Sequence, residues 1–138
     1  GLNVKSQVKY LKEFLAEIID SGIKTSLFID PDSEQITCAK KLGVNSVELH
    51  TGKYSRLFKK GEHKEELQNI KNSAFLCNKL GIQCHAGHGL DFENVKNISL
   101  IKEIEELNVG HFLISNSIFT GLEKTVKEFM RIIDHPDS

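Results

Sequence analysis

The chain has no excess of either charge, no long apolar run and few cysteines, and each lack removes a class of function. Eighteen Lys and Arg stand against nineteen Asp and Glu, a formal net charge of −1. Nucleic-acid binding draws on a basic surplus or a basic stripe, so no nucleic-acid partner is expected. A local anion site stays open, because backbone amides and a few side chains can form one without net charge. No apolar stretch approaches the roughly 20 residues that cross a bilayer, and there is no secretory apolar segment, so no membrane partner is expected. The three cysteines, Cys38, Cys77 and Cys84, are odd in number and show neither CxxC nor metal spacing. Each reads as a small buried hydrophobe, and a reducing cytoplasm is the expected setting.

What is present is a globular composition, with 39% hydrophobic and 27% charged residues in a chain of 138. That length builds one compact domain with a real core. No linker, second domain or low-complexity tract divides it. The chain opens on Gly1 rather than Met, which points to processing or to a segment of a longer protein.

Val4, Val8, Leu11, Leu15 and Ile18 recur at spacings of four and three, one face of a helix over about 4–20 that Gly22 ends. Thr25–Asp30 is a short apolar run and reads as a buried strand. Asp32 and Gln35 have the spacing of a capping box, opening a helix over about 32–42 with Gly43 as its stop. Ser46–His50 is a second strand, and the segment from Thr51 to Gly61 reads as a polar loop. Leu67, Ile70, Ala74 and Cys77 mark a helix over about 63–80, followed by Gly81. Ile82–His85 is a third strand running into glycine-rich Ala86–Gly89, and Asn94–Ile98 is a short helix. Glu106–Gly110 fits a fourth strand, Phe112–Phe119 fits either strand or helix, and Leu122, Val126, Phe129 and Ile133 define a last helix.

Alternating strands and helices imply a parallel sheet with right-handed crossovers. The strands lack strict apolar–polar alternation, which fits strands covered on both faces. Four such units fall short of the eight strands and about 250 residues of a closed (β/α)₈ barrel. The fold is therefore either a small open α/β sheet or half of a barrel.

In parallel α/β proteins ligands bind beyond the C-terminal ends of the strands. Four of the six histidines, His50, His85, His88 and His111, fall at such ends. Glu48 lies inside a strand between Val47 and Leu49. If those two face the helices, Glu48 faces the other way, and a buried carboxylate needs a partner or a task. A lysine ion pair is the structural alternative. His85 and His88 have no third ligand at a recognised spacing, so no metal site is expected. His88 suits general acid–base work, since imidazole titrates near neutrality and its flanking glycines allow close approach. A purely structural role, bonding loop carbonyls, is the alternative for His88 and His111. Gly87, Gly89 and Gly110 can turn amides toward an anion, with Phe112–Phe119 as a short phosphate-binding helix. Lys53, Lys59, Lys60 and Lys64 read as a solvated basic loop.

Several blocks then stand in a specific order: Ser26-Leu27-Phe28-Ile29-Asp30, Glu48-Leu49-His50-Thr51-Gly52-Lys53-Tyr54, Ala86-Gly87-His88-Gly89-Leu90, Asn94-Val95 and Asn108-Val109-Gly110-His111. In these the chain resembles the pyridoxine 5′-phosphate synthase family over essentially its whole length. The resemblance implies a (β/α)₈ TIM barrel of which residues 1–138 are the C-terminal half, strands five to eight, with the first four strands absent. It implies a cofactor-free condensation of 3-amino-2-oxopropyl phosphate with 1-deoxy-D-xylulose 5-phosphate to pyridoxine 5′-phosphate, phosphate and water. It further implies His88 as proton donor, Glu48 as stabiliser of charged intermediates, and Gly89, Gly110 and His111 as holders of the amino-ketone phosphate. The family's remaining acid–base groups lie in the absent half, so these residues alone would be an inactive, association-prone half-barrel. A homo-octamer in the cytoplasm follows from the same resemblance. Ser115-Asn116 departs from the small residue and arginine common in relatives, at a place that bears on phosphate contacts or on the subunit interface. The alternatives are another phosphate-binding barrel, of sugar-phosphate isomerase or aldolase type, and a non-catalytic phosphometabolite-binding module.

Overall fold

A computed structural model describes residues 1–136. A 3₁₀ turn, Lys5–Gln7, leads into α1 (Val8–Asp20), and then β1 (Ser26–Ile29), α2 (Ser33–Lys41) and β2 (Ser46–His50). They are followed by α3 (Gly52–Phe58), α4 (Lys64–Leu80), β3 (Gln83–Gly87) and α5 (Val95–Ser99). β4 (Ile104–Asn108), α6 (His111–Thr120) and α7 (Leu122–Asp134) complete the chain. The strands form one parallel sheet in the order β1-β2-β3-β4. This is the α/β architecture that the alternating pattern implies, and it is compatible with part of a barrel.

Burial along β1 alternates strictly, with Leu27 and Ile29 buried and Ser26 and Phe28 exposed. The expectation of strands covered on both faces is thus corrected: one face packs on helices and the other is open. Leu27, Val47 and Cys84 make one covered row, and Ile29, Leu49 and Ala86 the next. Helix α4 packs on β2 and β3 and α2 on β1, bringing Ile36, Ala39, Ile70, Ala74 and Cys77 into the same core. Cys77 and Cys84 are buried free thiols, and the Cys84 thiol donates to the His85 carbonyl at 3.8 Å. Its neighbour Cys77 and burial raise the Cys84 thiol above its ordinary value, which disfavours the nucleophilic thiolate.

Local chemistry explains most boundaries. Asp32 caps α2, its carboxylate accepting from the Glu34 and Gln35 amides at 2.9 Å. The reciprocal half of the capping box is not made. Gln35 Oε1 instead accepts from the Val4 and Lys5 amides at 2.7 and 3.2 Å, tying the chain's start to α2. Gly81 ends α4 in the left-handed conformation, the stop that its lack of a Cβ allows.

Several boundaries differ from the sequence reading, beginning with the first helix, where a 3₁₀ turn precedes α1 and the α-helix starts at Val8 rather than near residue 4. The expected loop after β2 begins with helix α3, whose Gly52, Tyr54 and Ser55 are buried. Tyr54, Leu57 and Phe58 stand at helical spacing, but a single turn of pattern in a seven-residue helix is too short to mark it, and its burial comes from contacts with distant segments. β3 runs on to Gly87, because Ala86 and Gly87 still pair with Leu49 and His50. β4 begins at Ile104, two residues before the expected start, with a register shift opposite Cys84 and His85. Residues 112–119 are helical, within α6. On α7 the buried face is Thr125, Phe129 and Ile132, while Leu122 and Val126 are exposed. The apolar stripe of α7 is wider than the surface α5 and α6 cover.

Candidate active site

The open face of the sheet is polar, and its strands deliver those residues in register. Phe28, Glu48, His85 and Glu106 form one row, and His50, Gly87 and Asn108 form the next toward the C-terminal ends. Val47 and Leu49 are fully buried against helices, so Glu48 faces the opposite way, as strand alternation requires. Its Oε2 accepts a hydrogen bond from Asn108 Nδ2 at 2.9 Å. No lysine pairs with Glu48 among the described residues. The lysine of this region that does form an ion pair is Lys53, whose Nζ lies 2.6 Å from Oε2 of the buried Glu66. That bond raises the Lys53 ammonium above its ordinary value. All four lysines of the expected basic loop are exposed, although Lys53 lies on α3 with its ion pair, and Lys59 lines the cleft described next.

Gly87 makes room for the Glu48 carboxylate. A Cβ added there would sit 2.5 Å from Glu48 Oε1 and 2.5 Å from the Asn108 carbonyl oxygen, closer than any side chain can settle. Gly52 does the same for two imidazoles, since a Cβ at Gly52 would meet His50 Cε1 at 2.8 Å and His88 Cδ2 at 2.9 Å.

A cleft of about 710 Å³ opens at the C-terminal ends of the strands. Glu48, His88, Gly89, Gly110 and His111 all line it. The structure therefore brings these five residues together, whereas Gly87, also expected to face an anion, does not line the cleft. It adds Phe28, Lys59, Asn108 and Ser115 to the lining. Phe28 was hidden by its place in an apolar run, and Lys59 by the apparent solvation of its neighbours. His85 shares a row with Phe28 and Glu48 yet lies outside this cleft, with Nδ1 3.6 Å from Glu106 Oε1. It lines a separate polar cavity at the opposite end of the strands with Gln83 and Glu105.

His88 has a φ of +84°, the one positive value outside glycine among the described residues. Such a backbone costs a histidine free energy and persists only where its surroundings enforce it. Its ring lies 4.8 Å from that of His50, centroid to centroid, and 6.4 Å from that of Phe28. Burial lowers the His50 imidazole below its ordinary value. His88 adds to this, while Asp30, with Oδ1 3.4 Å from Nδ1, opposes it.

Across the cleft, α6 starts at Gly110 with no side-chain cap. Its first internal bond runs from the Ile114 amide to the Gly110 carbonyl, so the amides of residues 111–113 lack partners within the helix. With Lys59 nearby, this end of the cleft suits an anion. Of the pair Ser115-Asn116, Ser115 lines the cleft, and Asn116 Nδ2 instead bonds Thr120 and Thr125, at 3.1 Å each, joining α6 to α7. The arrangement combines an imidazole for proton transfer, a carboxylate able to face a cation, and an anion-accepting helix end. Among the described residues no cluster of three metal-ligating side chains occurs, and no helix is long and apolar enough to cross a membrane.

The family described as "Pyridoxal phosphate biosynthesis protein PdxJ" matches residues 1–135. The pyridoxine 5′-phosphate synthase of Sulfurihydrogenibium sp. (strain YO3AOP1) is 47% identical over 133 residues, covering 96% of this chain and 54% of that protein. The synthase of Prochlorococcus marinus (strain AS9601) is 46% identical, covering 96% and 56%. That of Zymomonas mobilis is 45% identical over 134 residues, covering 97% and 52%. The chain thus spans about half the length of the curated relatives it matches.

Proposed function

The chain belongs to the family of the pyridoxal phosphate biosynthesis protein PdxJ, and on that premise we propose that it forms part of a pyridoxine 5′-phosphate synthase. The intact enzyme would condense 3-amino-2-oxopropyl phosphate with 1-deoxy-D-xylulose 5-phosphate, releasing phosphate and water. The observation that carries this reading is the meeting of Glu48, His88, Gly89, Gly110 and His111 in one cleft at the strand ends.

In this reading residues 1–138 are the C-terminal half of a single (β/α)₈ barrel, strands five to eight. The polar rows on the open face become the lining of the barrel, which accounts for charged side chains on a face without helices. Gly89, Gly110 and His111 hold the phosphate of the amino ketone at the uncapped start of α6. The amine attacks the ketone carbonyl of the deoxyxylulose phosphate, and loss of water leaves a Schiff base. His88 supplies a proton to a departing oxygen, and the Glu48 carboxylate, held by Asn108, offsets positive charge on the iminium nitrogen. The mechanism uses no cofactor or metal. The free thiols Cys38, Cys77 and Cys84 support a cytoplasmic setting, and the family supports a homo-octamer.

The test is formation of pyridoxine 5′-phosphate by the intact protein from the two phosphorylated substrates. Product is expected with wild type. Absence of product, with both substrates binding, would remove the synthase reading and leave a phosphometabolite-binding module.

A further inference from the structure

Thr51 follows the last residue of β2 and is wholly buried, so it touches no substrate. Its position is nonetheless tied to His88. Thr51 Oγ1 lies 2.7 Å from the carbonyl oxygen of Gly87 and 2.7 Å from that of His88. The Thr51 amide also donates to the Gly87 carbonyl at 2.8 Å. The two carbonyls reached by the hydroxyl are the ones that flank the His88 Cα.

That choice of acceptors has a conformational meaning. Along extended backbone successive carbonyls point in opposite directions, whereas in helical conformations of either hand they point the same way. One hydroxyl can face both oxygens only if His88 is not extended. The left-handed φ of +84° meets that condition. The next carbonyl in the loop is held as well, since Asn94, also wholly buried, donates from Nδ2 to Gly89 at 3.1 Å. Tyr54 Oη in turn donates to the Asn94 carbonyl at 2.7 Å. Three successive loop carbonyls are therefore pinned from beneath by residues of other segments. Above them the His88 ring lies against His50 and over Gly52.

We propose that Thr51 is a positioning residue: its single hydroxyl proton, shared between the carbonyls on either side of His88, fixes the left-handed backbone that aims the imidazole into the cleft. This deepens the synthase reading and rests on it for the proton that His88 moves. The effect is expected in turnover more than in binding, because Gly110 and His111 lie at the start of α6, away from Thr51, and Gly89 is held separately by Asn94.

The experiment uses the intact protein with Thr51→Val, which keeps the shape and removes the hydroxyl, and Thr51→Ser, which keeps the hydroxyl. For Thr51→Val, kcat is expected to fall by about tenfold to a hundredfold with KM within about twofold, as misplacement of a reacting group by about 1 Å would do. Thr51→Ser should retain most of the activity, and crystal structures should show His88 left-handed in Thr51→Ser and displaced in Thr51→Val. An unchanged kcat in Thr51→Val would overturn the proposal, as would a loss in Thr51→Ser equal to that in Thr51→Val. If Thr51→Val does not fold, Thr51→Cys, of similar volume and weaker donor strength, takes its place under the same outcomes. If wild type makes no pyridoxine 5′-phosphate, the synthase reading fails. The backbone of His88 in the variant structures then decides the positioning role on its own.

Discussion

The two faces of the sheet differ in almost every respect although the same four strands supply both. On the helix-covered face Leu27, Ile29, Val47, Leu49, Cys84 and Ala86 are all buried. On the open face Glu48, His50 and His85 are half-buried, and Phe28 and Asn108 are exposed. Neighbours along one strand therefore serve different ends: one residue holds the fold and the next faces the cleft. The comparison teaches that stability and chemistry are separable here at a spacing of one residue. Substitutions on one face should register in unfolding and those on the other in turnover.

The sharpest expression of that separation is His88. In the intact protein His88→Ala is expected to lower kcat by about a hundredfold to ten-thousandfold, the range of a lost general acid, while the urea midpoint stays near that of wild type. Steady-state kinetics beside a denaturant titration checks both halves. Leu49→Ala, on the other face, should destabilise by about 2–5 kcal/mol, the cost of emptying a packed leucine site. Its kcat per folded molecule, measured well below the midpoint, should stay close to wild type. A large kcat loss in Leu49→Ala would break the division between faces.

Gly87 is the place where the two faces meet. A methyl group there collides with Glu48 Oε1 and the Asn108 carbonyl, so Gly87→Ala is expected to cost about 1–3 kcal/mol from overpacking and to reduce turnover as well, by displacing the carboxylate. Equal readings from melting and kinetics, with loss in both, would identify Gly87 as a shared element. Asp32→Ala, remote from the cleft, removes the α2 cap and should cost about 1 kcal/mol with no change in kcat.

The smallest expected effect is on pH dependence. His50 has its imidazole lowered mainly by burial. The unfolded chain then binds the proton more readily than the folded one, and stability rises with pH across the interval. The contribution is fully present above the ordinary value of 6.5 and is lost as pH falls toward the folded value. His50→Gln should flatten the decline in melting temperature on the acid side of that value. An unaltered acid limb would show that His50 does not titrate differently on folding.

The strongest local signals were legible in the sequence. The Val4–Ile18 stripe, the Asp32 cap and the glycine stops each carry their instruction within a few residues, and the corresponding elements formed. The cleft residues were legible for a different reason. A parallel α/β order fixes which end of each strand carries function, so Glu48, His88 and Gly110 could be read from position together with residue type. Helix α3 was not legible, because its burial depends on Tyr54 reaching Asn94, forty residues away. Gln35 misled for the same kind of reason: its local partner was available, and the start of the chain took it.

By itself, then, the sequence determined the order of the strands and of the helices with a clear apolar stripe, the family and the residue types at the strand ends, since all of these rest on periodicity and short motifs. Only the tertiary structure decided that Asn108 rather than a lysine holds Glu48, that His85 stands outside the cleft, and that His88 is held left-handed above Thr51. Those outcomes depend on strand register and on hydrogen bonds spanning 37 and 60 residues, and no local pattern encodes which distant donor arrives.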